Sequence, residues 1–514
     1  MENKKLTKYI GSIAFGTLFS RIFGYVRDML VADLFGIGMF ADVFYAVFRI
    51  PNFFKRIFGD GSFSAAFIPI FNKYLNKKTK ILIQNFLNTI FSVLFFVLII
   101  ISILGVFFSP FLVKIFAGGF SSNSVKVQLA IKISRLMFPF VIFASLASFL
   151  LAALNTLRSF FLPAIAPSLF SFSEILYILF IAPVIVYNSR IKGLAISVVI
   201  GGFLHFFVQY LKLKGLGWNL KFIRFNLKHP GVRKVIFLMI PSIIGLSADQ
   251  INVLIDSRCA SSLGQGPVSA LYYSNRLMQM PLGIFGFAFA SVLLPIMSNA
   301  YLKNDMLTIK KSLSYSIRFT IFSLLPATTG LMIIGLPIVK LLFERGKFDS
   351  FGSIMTNDAL FYYSIGIPGF ALVKIFANAF YSFRDTKTPV KIAIYSVILH
   401  VLLCFLLMYK IGVGGLALST SLSTYFNLLL LIFYIRKKIG GFDSQKILNS
   451  FLKTVFASII TGIVSYNTCK ISEKLFISVP ISIFLGLIAF ILTSYILKSD
   501  ELKMIILNIF SNKK

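Results

Sequence analysis

The chain has 514 residues, of which 57% are apolar and 13% charged, and its mean hydropathy is +0.88. Soluble proteins average about 25% charged residues, so this composition excludes a soluble enzyme and, despite a net charge of +34, a nucleic-acid binder. The longest polar stretch, residues 212–234, is too short to bury a core of its own, which excludes a pump with its own ATP-hydrolysing domain.

In chain order, the hydropathy pattern predicts fourteen membrane-spanning helices. A spanning helix needs about 20 apolar residues, and the apolar content supports about 14 of them. The first span follows a basic start that resembles a signal peptide, but it lacks a small-residue cleavage site, so we expect it to be retained. The predicted spans are 9–33, 38–70 (broken), 85–116, 127–156, 162–187, 193–213, 235–262, 266–300, 313–342, 356–382, 389–410, 413–435, 449–469 and 476–497.

Basic residues are concentrated in alternate loops between these spans. The loops at 32–42 and 261–267 have none, and the loop at 118–127 has only Lys126. By the positive-inside rule we expect both termini in the cytoplasm, with the basic loops in contact with anionic membrane lipids. The basic set comprises residues 4–8, 73–80, 158, 212–234, 303–311, 384–391 and 436–438.

An internal repeat relates the two halves of the chain. Two copies that each hold an even number of spans lie parallel in the membrane, which is a known transporter architecture. We therefore predict an N-lobe at 1–214 (helices 1–6), a cytoplasmic basic linker at 215–234, a C-lobe at 235–440 (helices 7–12) and an added segment at 441–514 with helices 13 and 14 and a cytoplasmic tail. The matching segments are Val113-Lys114 with Val339-Lys340, Arg158 and Pro163 with Arg384 and Pro389, and Gly193–Ser197 with Gly415–Ser419.

Charged residues inside the predicted spans mark the candidate site. Arg21 and Arg27 lie six residues apart on the first helix with Gly24 between them, so both project to a similar side. Each intramembrane arginine costs a few kcal/mol and normally faces a watery cavity or a partner. The second span is interrupted by Gly59-Asp60-Gly61, and a broken helix at this depth must line protein or water. A cationic interior fits an anionic substrate, because guanidinium groups bind phosphate through paired donors.

For several of these residues a structural role competes with a functional one. Arg27 could form a local ion pair with the adjacent Asp28. Glu174 and His400 are each alone on apolar helices and are equally compatible with buried, hydrogen-bonded side chains. Side chains that we expect to extend to lipid headgroups are those of Arg56, Arg135 and Arg318.

Several motifs recur in an order that is typical of one family. The amino-terminal block is Ser20-Arg21-x-x-Gly24-x-x-Arg27-Asp28, then Asp42, then Arg49-x-Pro51-Asn52-x-x-Lys55-Arg56-x-x-x-Asp60-Gly61. Supporting segments are Gln250-Ile-Asn252-x-x-Ile-Asp256, Tyr272-Tyr-Ser-Asn275-Arg276 and Tyr381-Ser-x-x-Asp385-Thr-Lys387-Thr-Pro389. Over nearly its whole length the chain resembles the MurJ (MviN) family of lipid II flippases.

This resemblance implies an all-α polytopic membrane protein of the multidrug/oligosaccharidyl-lipid/polysaccharide exporter superfamily. Two parallel six-helix lobes would form a V-shaped central cavity that alternates between inward and outward opening, and helices 13 and 14 would add a groove for a lipid tail. The protein would be a transporter rather than an enzyme. It would act as a monomer in the bacterial cytoplasmic membrane and flip lipid II, an undecaprenyl-pyrophosphate disaccharide-pentapeptide, to the outer leaflet for cell wall synthesis.

Other functions are also compatible with the sequence. A related drug or metabolite exporter would have the same architecture, as would an exporter of another polyprenyl-pyrophosphate oligosaccharide. A drug exporter would be expected to line its cavity with aromatic and acidic groups, whereas here basic groups are in excess. A membrane enzyme acting on isoprenoid phosphates is disfavoured, because the sequence has no paired-carboxylate metal motif.

The resemblance also assigns roles to individual residues. Three substrate-binding arginines of the family match Arg21, Arg27 and Arg276. At a fourth position the family has an arginine, and this chain has Lys55. Lysine binds a phosphate as a point charge and lacks the two-pronged geometry of arginine. Positions expected to act in gating or conformational change are Asp28, Asp42, Asp60 and Gly61.

Some relatives have a sodium site in the second lobe, and its matching positions here are Asp256, His400, Cys404 and Thr420. Sodium prefers hard oxygen ligands, and imidazole and thiol replace two of them. We expect no resident metal or cofactor. The membrane potential, Na⁺ and H⁺ all stay open as energy sources, with Asp256, His400 and Thr420 as the ion-coupling residues.

Overall fold

A computed structural model describes residues 2–59, 61–223 and 226–511 of the chain. Within these ranges, side chains are described outside residues 2–14, 241–242, 244–249, 287–292 and 508–511. All regular secondary structure in the described ranges is helical. The prediction of an all-α chain is therefore confirmed.

The chain divides into two compact units, Met1–Ser269 and Ala270–Lys514. The predicted lobe boundaries at 214 and 235 are not the same division, and they stay a prediction. The helices up to the division are α1 (Glu2–Phe35), α2 (Met39–Phe58), α3 (Ser62–Lys77), α4 (Lys80–Phe107), α5 (Ser109–Phe116), α6 (Ser124–Met137), α7 (Phe140–Thr156), α8 (Phe161–Ile165), α9 (Ser168–Leu176), α10 (Tyr187–Gly215) and α11 (Pro230–Ser262).

The division falls in the first turn of α12 (Pro267–Pro281). A π-helical turn at Leu282–Gly286 continues α12 directly into the next helix, and a similar turn at Tyr177–Ile181 follows α9. The remaining helices are α13 (Phe287–Leu302), α14 (Met306–Ile333), α15 (Gly335–Phe343), α16 (Ser350–Ser382), α17 (Lys387–Ile411), α18 (Val413–Ile439), α19 (Ser444–Cys469), α20 (Leu475–Ile496) and α21 (Asp500–Ser511).

Helices lie within each of the fourteen predicted spans, and several spans contain more than one helix. Among the described residues, nine helical segments are long and apolar enough to cross a membrane. The chain is thus a multi-pass membrane protein. The nine segments are Lys80–Phe107, Ser124–Thr156, Tyr187–Gly215, Met306–Ile333, Ser350–Ser382, Lys387–Ile411, Val413–Ile439, Ser444–Cys469 and Leu475–Ile496.

Phenylalanine rings fill the core of the first unit between α3, α4 and α7. The ring centroid of Phe67 on α3 lies 5.1 Å from that of Phe71, 5.9 Å from Phe86 on α4 and 5.4 Å from Phe149 on α7. Each such pair contributes about 0.5–1.5 kcal/mol beyond simple burial. Because lipid is as apolar as these side chains, close packing of this kind is what holds membrane helices together.

The predicted break in the second span is confirmed. Helix α2 ends before Gly59 and α3 begins after Gly61, whose φ of +77° favours glycine. A Cβ atom on Gly59 would lie 2.9 Å from the Lys55 carbonyl oxygen and 3.0 Å from Cα of Ser145 on α7. The two glycines therefore allow both the sharp turn and a close approach to α7. Asp60 lies outside the described residues, so its gating role stays a prediction.

The last helix, α21, packs against the membrane helices of the second unit. Its Leu502 is buried with Phe322 of α14, Ala457 of α19 and Phe490 of α20. The neighbouring Glu501 is 1% exposed. The predicted tail is therefore, over residues 500–507, a docked helix.

The expectation that Arg318 extends to lipid headgroups is wrong. Arg318 on α14 is 8% exposed, and its Nη1 donates to Oε1 of Glu501 at 2.9 Å. Glu501 also accepts hydrogen bonds from Ser450 Oγ of α19 at 2.9 Å and from Ser499 Oγ at 2.8 Å. A buried arginine is tolerated here because a carboxylate from a distant part of the chain compensates its charge.

Candidate functional site

Arg27 lies against two carboxylates. Its Nε and Nη2 donate to Oδ1 of Asp28 at 3.0 and 2.7 Å, and its Nη1 lies 3.5 Å from Oε1 of Glu174 on α9. All three residues are buried, with exposures of 8%, 0% and 1%. The local ion pair predicted as one alternative for Arg27 is confirmed, and Glu174 is a buried partner of that pair.

The face of the Arg27 guanidinium is also occupied, because its Cζ lies 5.4 Å from the ring centroid of Phe170. A cation over an aromatic face gains about 1–2 kcal/mol when water is excluded. Arg27 is thus not an uncompensated cation. An anionic ligand that binds it must compete with Asp28 for the same N–H groups.

The other predicted substrate residues are more accessible. Arg21 on α1 and Lys55 on α2 are half-buried in the first unit, and Arg276 on α12 is half-buried in the second. Their roles in binding stay a prediction. Arg49, in the same motif as Lys55, donates from Nη1 to the Val253 carbonyl at 3.1 Å and so connects α2 to α11.

Asp42 is the acceptor of a second buried cluster. Its Oδ2 accepts from Lys126 Nζ at 3.0 Å and from the Gly266 N–H at 2.7 Å, and its Oδ1 accepts from the Ser269 N–H at 3.0 Å and the Ser269 hydroxyl at 2.9 Å. Asp42 is completely buried and Lys126 is 6% exposed. We call these four residues the Asp42 clasp.

The Asp42 clasp joins three segments of the first unit that are poor in basic residues. Asp42 lies in the first turn of α2, Lys126 lies in the first turn of α6, and Gly266 and Ser269 flank the start of α12. The lone basic residue of the 118–127 loop is therefore the buried partner of an acid predicted to act in gating. The sequence does not name this partner, although the isolation of Lys126 in a basic-poor loop is a usable signal for a buried acidic one.

A second set of contacts joins the end of α11 to the end of α5 and the loop that follows it. Arg258 on α11 donates from Nη1 to the carbonyls of Lys114 and Ile115 at 3.1 and 3.4 Å, which satisfies the exposed carbonyl end of α5. The Gly119 N–H donates to Ser261 Oγ at 2.9 Å, and a Cβ on Gly119 would lie 2.3 Å from the carbonyl carbon of Ser261. The loop after α5 therefore fits closely against the end of α11.

In the second unit, His400 of α17 lies between two side chains. Its Nε2 is 3.3 Å from Cys404 Sγ and 3.3 Å from Thr420 Oγ1 on α18. Thr420 donates to the Leu416 carbonyl at 3.1 Å, so its oxygen is available to accept from the imidazole N–H. His400 is completely buried, and Asp256 of α11 in the first unit is 7% exposed.

The three residues of the second unit, His400, Cys404 and Thr420, do not fit a sodium ion. Imidazole nitrogen and thiol sulfur stand where hard oxygen ligands would be required, and the imidazole edge contacts the one hydroxyl ligand, Thr420.

The Asp385 motif organises the start of α17 outside the membrane. Asp385 accepts from Lys438 Nζ at 3.0 Å, and from the N–H and hydroxyl of Thr388 at 3.1 and 3.0 Å. Partial burial acts to raise the pKa of Asp385, but these three donors outweigh it and the pKa is lowered. Asp385 thus connects the ends of α16, α17 and α18 as a carboxylate.

Comparison with known proteins identifies the family. A family model described as "Lipid II flippase MurJ" matches residues 31–489. A protein of Buchnera aphidicola subsp. Schizaphis graminum named "Probable lipid II flippase MurJ" is 37% identical over 433 residues, covering 84% of each chain. The "Lipid II flippase MurJ" of Burkholderia cenocepacia is 35% identical over 448 residues, covering 86% of each.

The chain belongs to the MurJ lipid II flippase family. A relative in Rickettsia prowazekii, named "Probable lipid II flippase MurJ", is 33% identical over 499 residues. The match covers 95% of this chain and 96% of the relative. A solved MurJ structure in an inward closed conformation superposes with a TM-score of 0.80 at 27% identity, covering 94% of this chain and 98% of that one.

MurJ membership confirms the resemblance and the assignment as a transporter rather than an enzyme. A multidrug resistance transporter that is described as a member of the MOP superfamily, in an inward-facing conformation, matches with a TM-score of 0.67 over 82% of this chain. Its identity is only 12%, so it supports the fold and says nothing about substrate.

Proposed function

We propose that the chain carries lipid II from the cytoplasmic to the outer leaflet of the bacterial cytoplasmic membrane, where the lipid supplies peptidoglycan synthesis. The observation that carries this proposal is the match to the lipid II flippase model over residues 31–489. Relatives 33–37% identical, over most of both chains, are named for the same activity.

The proposed topology has fourteen membrane crossings in two parallel six-helix repeats, followed by a C-terminal pair. Support comes from the helices that lie within every predicted span and from the alternation of basic and basic-poor loops. Both termini are placed in the cytoplasm. The working form is a monomer that contacts anionic lipids and no nucleic acid.

In the proposed mechanism the substrate pyrophosphate takes Arg27 from Asp28. A guanidinium already held by carboxylates exchanges one oxyanion partner for another, so its charge is never left unpaired in a dry environment. Arg21, Lys55 and Arg276 supply further positive charge. Lys55 attracts the phosphates without fixing their orientation.

The Asp42 clasp is proposed to hold the outer ends of the first unit's helices together in the closed state. Its four hydrogen bonds all converge on one buried carboxylate, so opening must break the bonds from Lys126, Gly266 or Ser269 that hold these segments together. The break between Gly59 and Gly61 is proposed as the bending point of the second span.

Energy for transport is proposed to come from the membrane potential acting on the charged residues, or from protons through His400. Imidazole is the side chain whose unperturbed pKa lies nearest to physiological pH. The partners at Cys404 and Thr420 give its Nε2 two neighbours with which a proton can be shared.

Complementation tests the function. A bacterium depleted of its own flippase should grow when this chain is expressed, and should lyse when it carries Arg27→Ala. Arg27→Lys should restore little, because lysine cannot pair with two oxyanions in the plane of a guanidinium. The matched control Lys437→Gln removes an exposed charge and should grow normally. Lysis with the unmodified chain present in the membrane would refute the proposal.

A further inference from the structure

A cavity of about 330 Å³ lies at the first turns of α14, within the second unit. This volume is in the range of about 300–1,000 Å³ that is typical of small-molecule sites. One wall is the face of α14 that carries Lys310, Ser314 and Arg318, and the other is the segment 441–446 between α18 and α19. The proposed function gives this cavity no role.

The cavity is strongly basic. Lys310, Lys311, Arg318 and Lys446 line it, together with one carboxylate, that of Asp443. The charge of Arg318 is already balanced by Glu501 of α21, so the surplus comes from the three lysines. Three ammonium groups around one pocket repel each other, and a bound anion relieves that repulsion.

Two buried donors in the α14 wall have no hydrogen-bond partner among the described residues. They are the hydroxyl of Ser314, which is 2% exposed, and Nε of Arg318, which is 8% exposed. A buried polar group without a partner costs about 1–3 kcal/mol. On the neighbouring helix α16, Ser364 and Ser382 each donate to a carbonyl of their own helix, whereas Ser314 has no such bond.

The opposite wall is shaped by backbone rather than by side chains. Gly440 has a φ of +75° and Asp443 a φ of +30°, and these two left-handed residues turn the chain sharply between α18 and α19. Phe442, between them, is 4% exposed and packs on Phe376 of α16, which anchors the turn. The contact between Phe442 and Phe376 thus anchors this wall to α16.

We propose that this cavity binds a phosphate group, carried by a phospholipid headgroup or by a soluble phosphate ester. Phosphate offers several acceptor oxygens and a negative charge, which match the ammonium groups and the two unpartnered donors. The cavity adjoins the basic loop at 303–311, predicted to lie on the cytoplasmic side, where the membrane surface is rich in anionic lipid. The site is separate from the residues proposed to bind lipid II.

Calorimetric titration of the full chain in an uncharged detergent tests the proposal. The probes are dihexanoyl phosphatidic acid, inorganic phosphate and, as an uncharged-headgroup control, dihexanoyl phosphatidylcholine. Lys310→Gln with Lys446→Gln should weaken phosphatidic acid binding about tenfold or more. The matched control, Lys303→Gln with Lys437→Gln, removes two exposed lysines that do not line the cavity and should change binding less than twofold.

Ser314→Ala provides a variant that should fold at least as well as the natural chain, because it deletes an unpartnered hydroxyl. It should weaken phosphatidic acid binding about threefold with no fall in the melting temperature. If inorganic phosphate displaces phosphatidic acid, the phosphate group that the cavity binds comes from a soluble phosphate ester. If inorganic phosphate does not displace it, the phosphate group comes from a lipid headgroup. Equal weakening by the cavity pair and the control pair would overturn the proposal, as would binding of phosphatidylcholine as tight as that of phosphatidic acid.

Discussion

Replacing Asp42 by asparagine should destabilise the first unit through one identifiable partner, Lys126. An asparagine carbonyl can keep the two hydrogen bonds from Ser269, which reach one carboxylate oxygen. Its amide group then faces the Lys126 ammonium and the Gly266 N–H, which both reach the other oxygen. Three donors would converge with no acceptor between them.

The magnitude follows from the burial of Lys126. Removing one partner of a buried ion pair costs about 3–5 kcal/mol, because the other charge stays buried without compensation. The ring of Phe120, whose centroid lies 4.2 Å from Nζ, contacts the ammonium in both the natural chain and the variant, so it does not change this difference. We therefore expect Asp42→Asn to lower the free energy of unfolding by about 3–5 kcal/mol.

A double-mutant cycle separates the charge effect from general damage. Lys126→Met removes the ammonium and keeps a similar volume, so the combined Asp42→Asn, Lys126→Met variant should recover most of the lost stability. The assay is reversible unfolding of the purified chain in mixed micelles. If the double variant is as unstable as the sum of the two single variants, the pair does not couple and the reasoning about the Asp42 clasp is refuted.

Three further predictions concern other parts of the chain. Gly61→Leu should abolish complementation because its φ of +77° is strained for leucine, whereas Gly441→Ala, with open space around its Cβ, should not. The pKa of Asp385 is lower in the folded state than in the unfolded state, where it is about 4. Its contribution to stability is therefore present above about pH 4 and is lost as the pH falls through the pKa of the folded state. The melting temperature of Asp385→Asn should fall less in acid than that of the natural chain. If His400 carries protons, a pH gradient imposed on vesicles should change the rate of flipping, and His400→Gln should remove that response; an unchanged response in the variant would make His400 structural.

The sequence predicted the positions of helices well, because apolar runs of about 20 residues separated by basic loops leave few alternatives. The glycine break at 59–61 was also predictable, since two glycines flanking an acid cannot continue a helix in lipid. The pair of Arg27 with Asp28 was visible because the two residues are adjacent.

The long-range partners could not be predicted. Lys126 and Asp42 are 84 positions apart, and Arg318 and Glu501 are 183 positions apart, so no local pattern connects them. Arg318 resembled a residue that extends to headgroups because it lies near one end of an apolar segment. A useful signal was the scarcity of acids: with only 17 Asp and Glu against 51 Lys and Arg, a carboxylate in or beside an apolar segment is expected to have a basic partner.

The ion pair between Arg318 and Glu501 has a consequence for the order in which the chain is made. Ribosomes add about 5–20 residues per second, so Glu501 emerges roughly ten to forty seconds after Arg318, given the 183 positions between them. During that interval α14 is already synthesised while its buried arginine lacks the carboxylate that compensates it. The second unit can therefore complete its folding only after Glu501 has left the ribosome, and a nascent chain halted after α20 would leave Arg318 without that carboxylate.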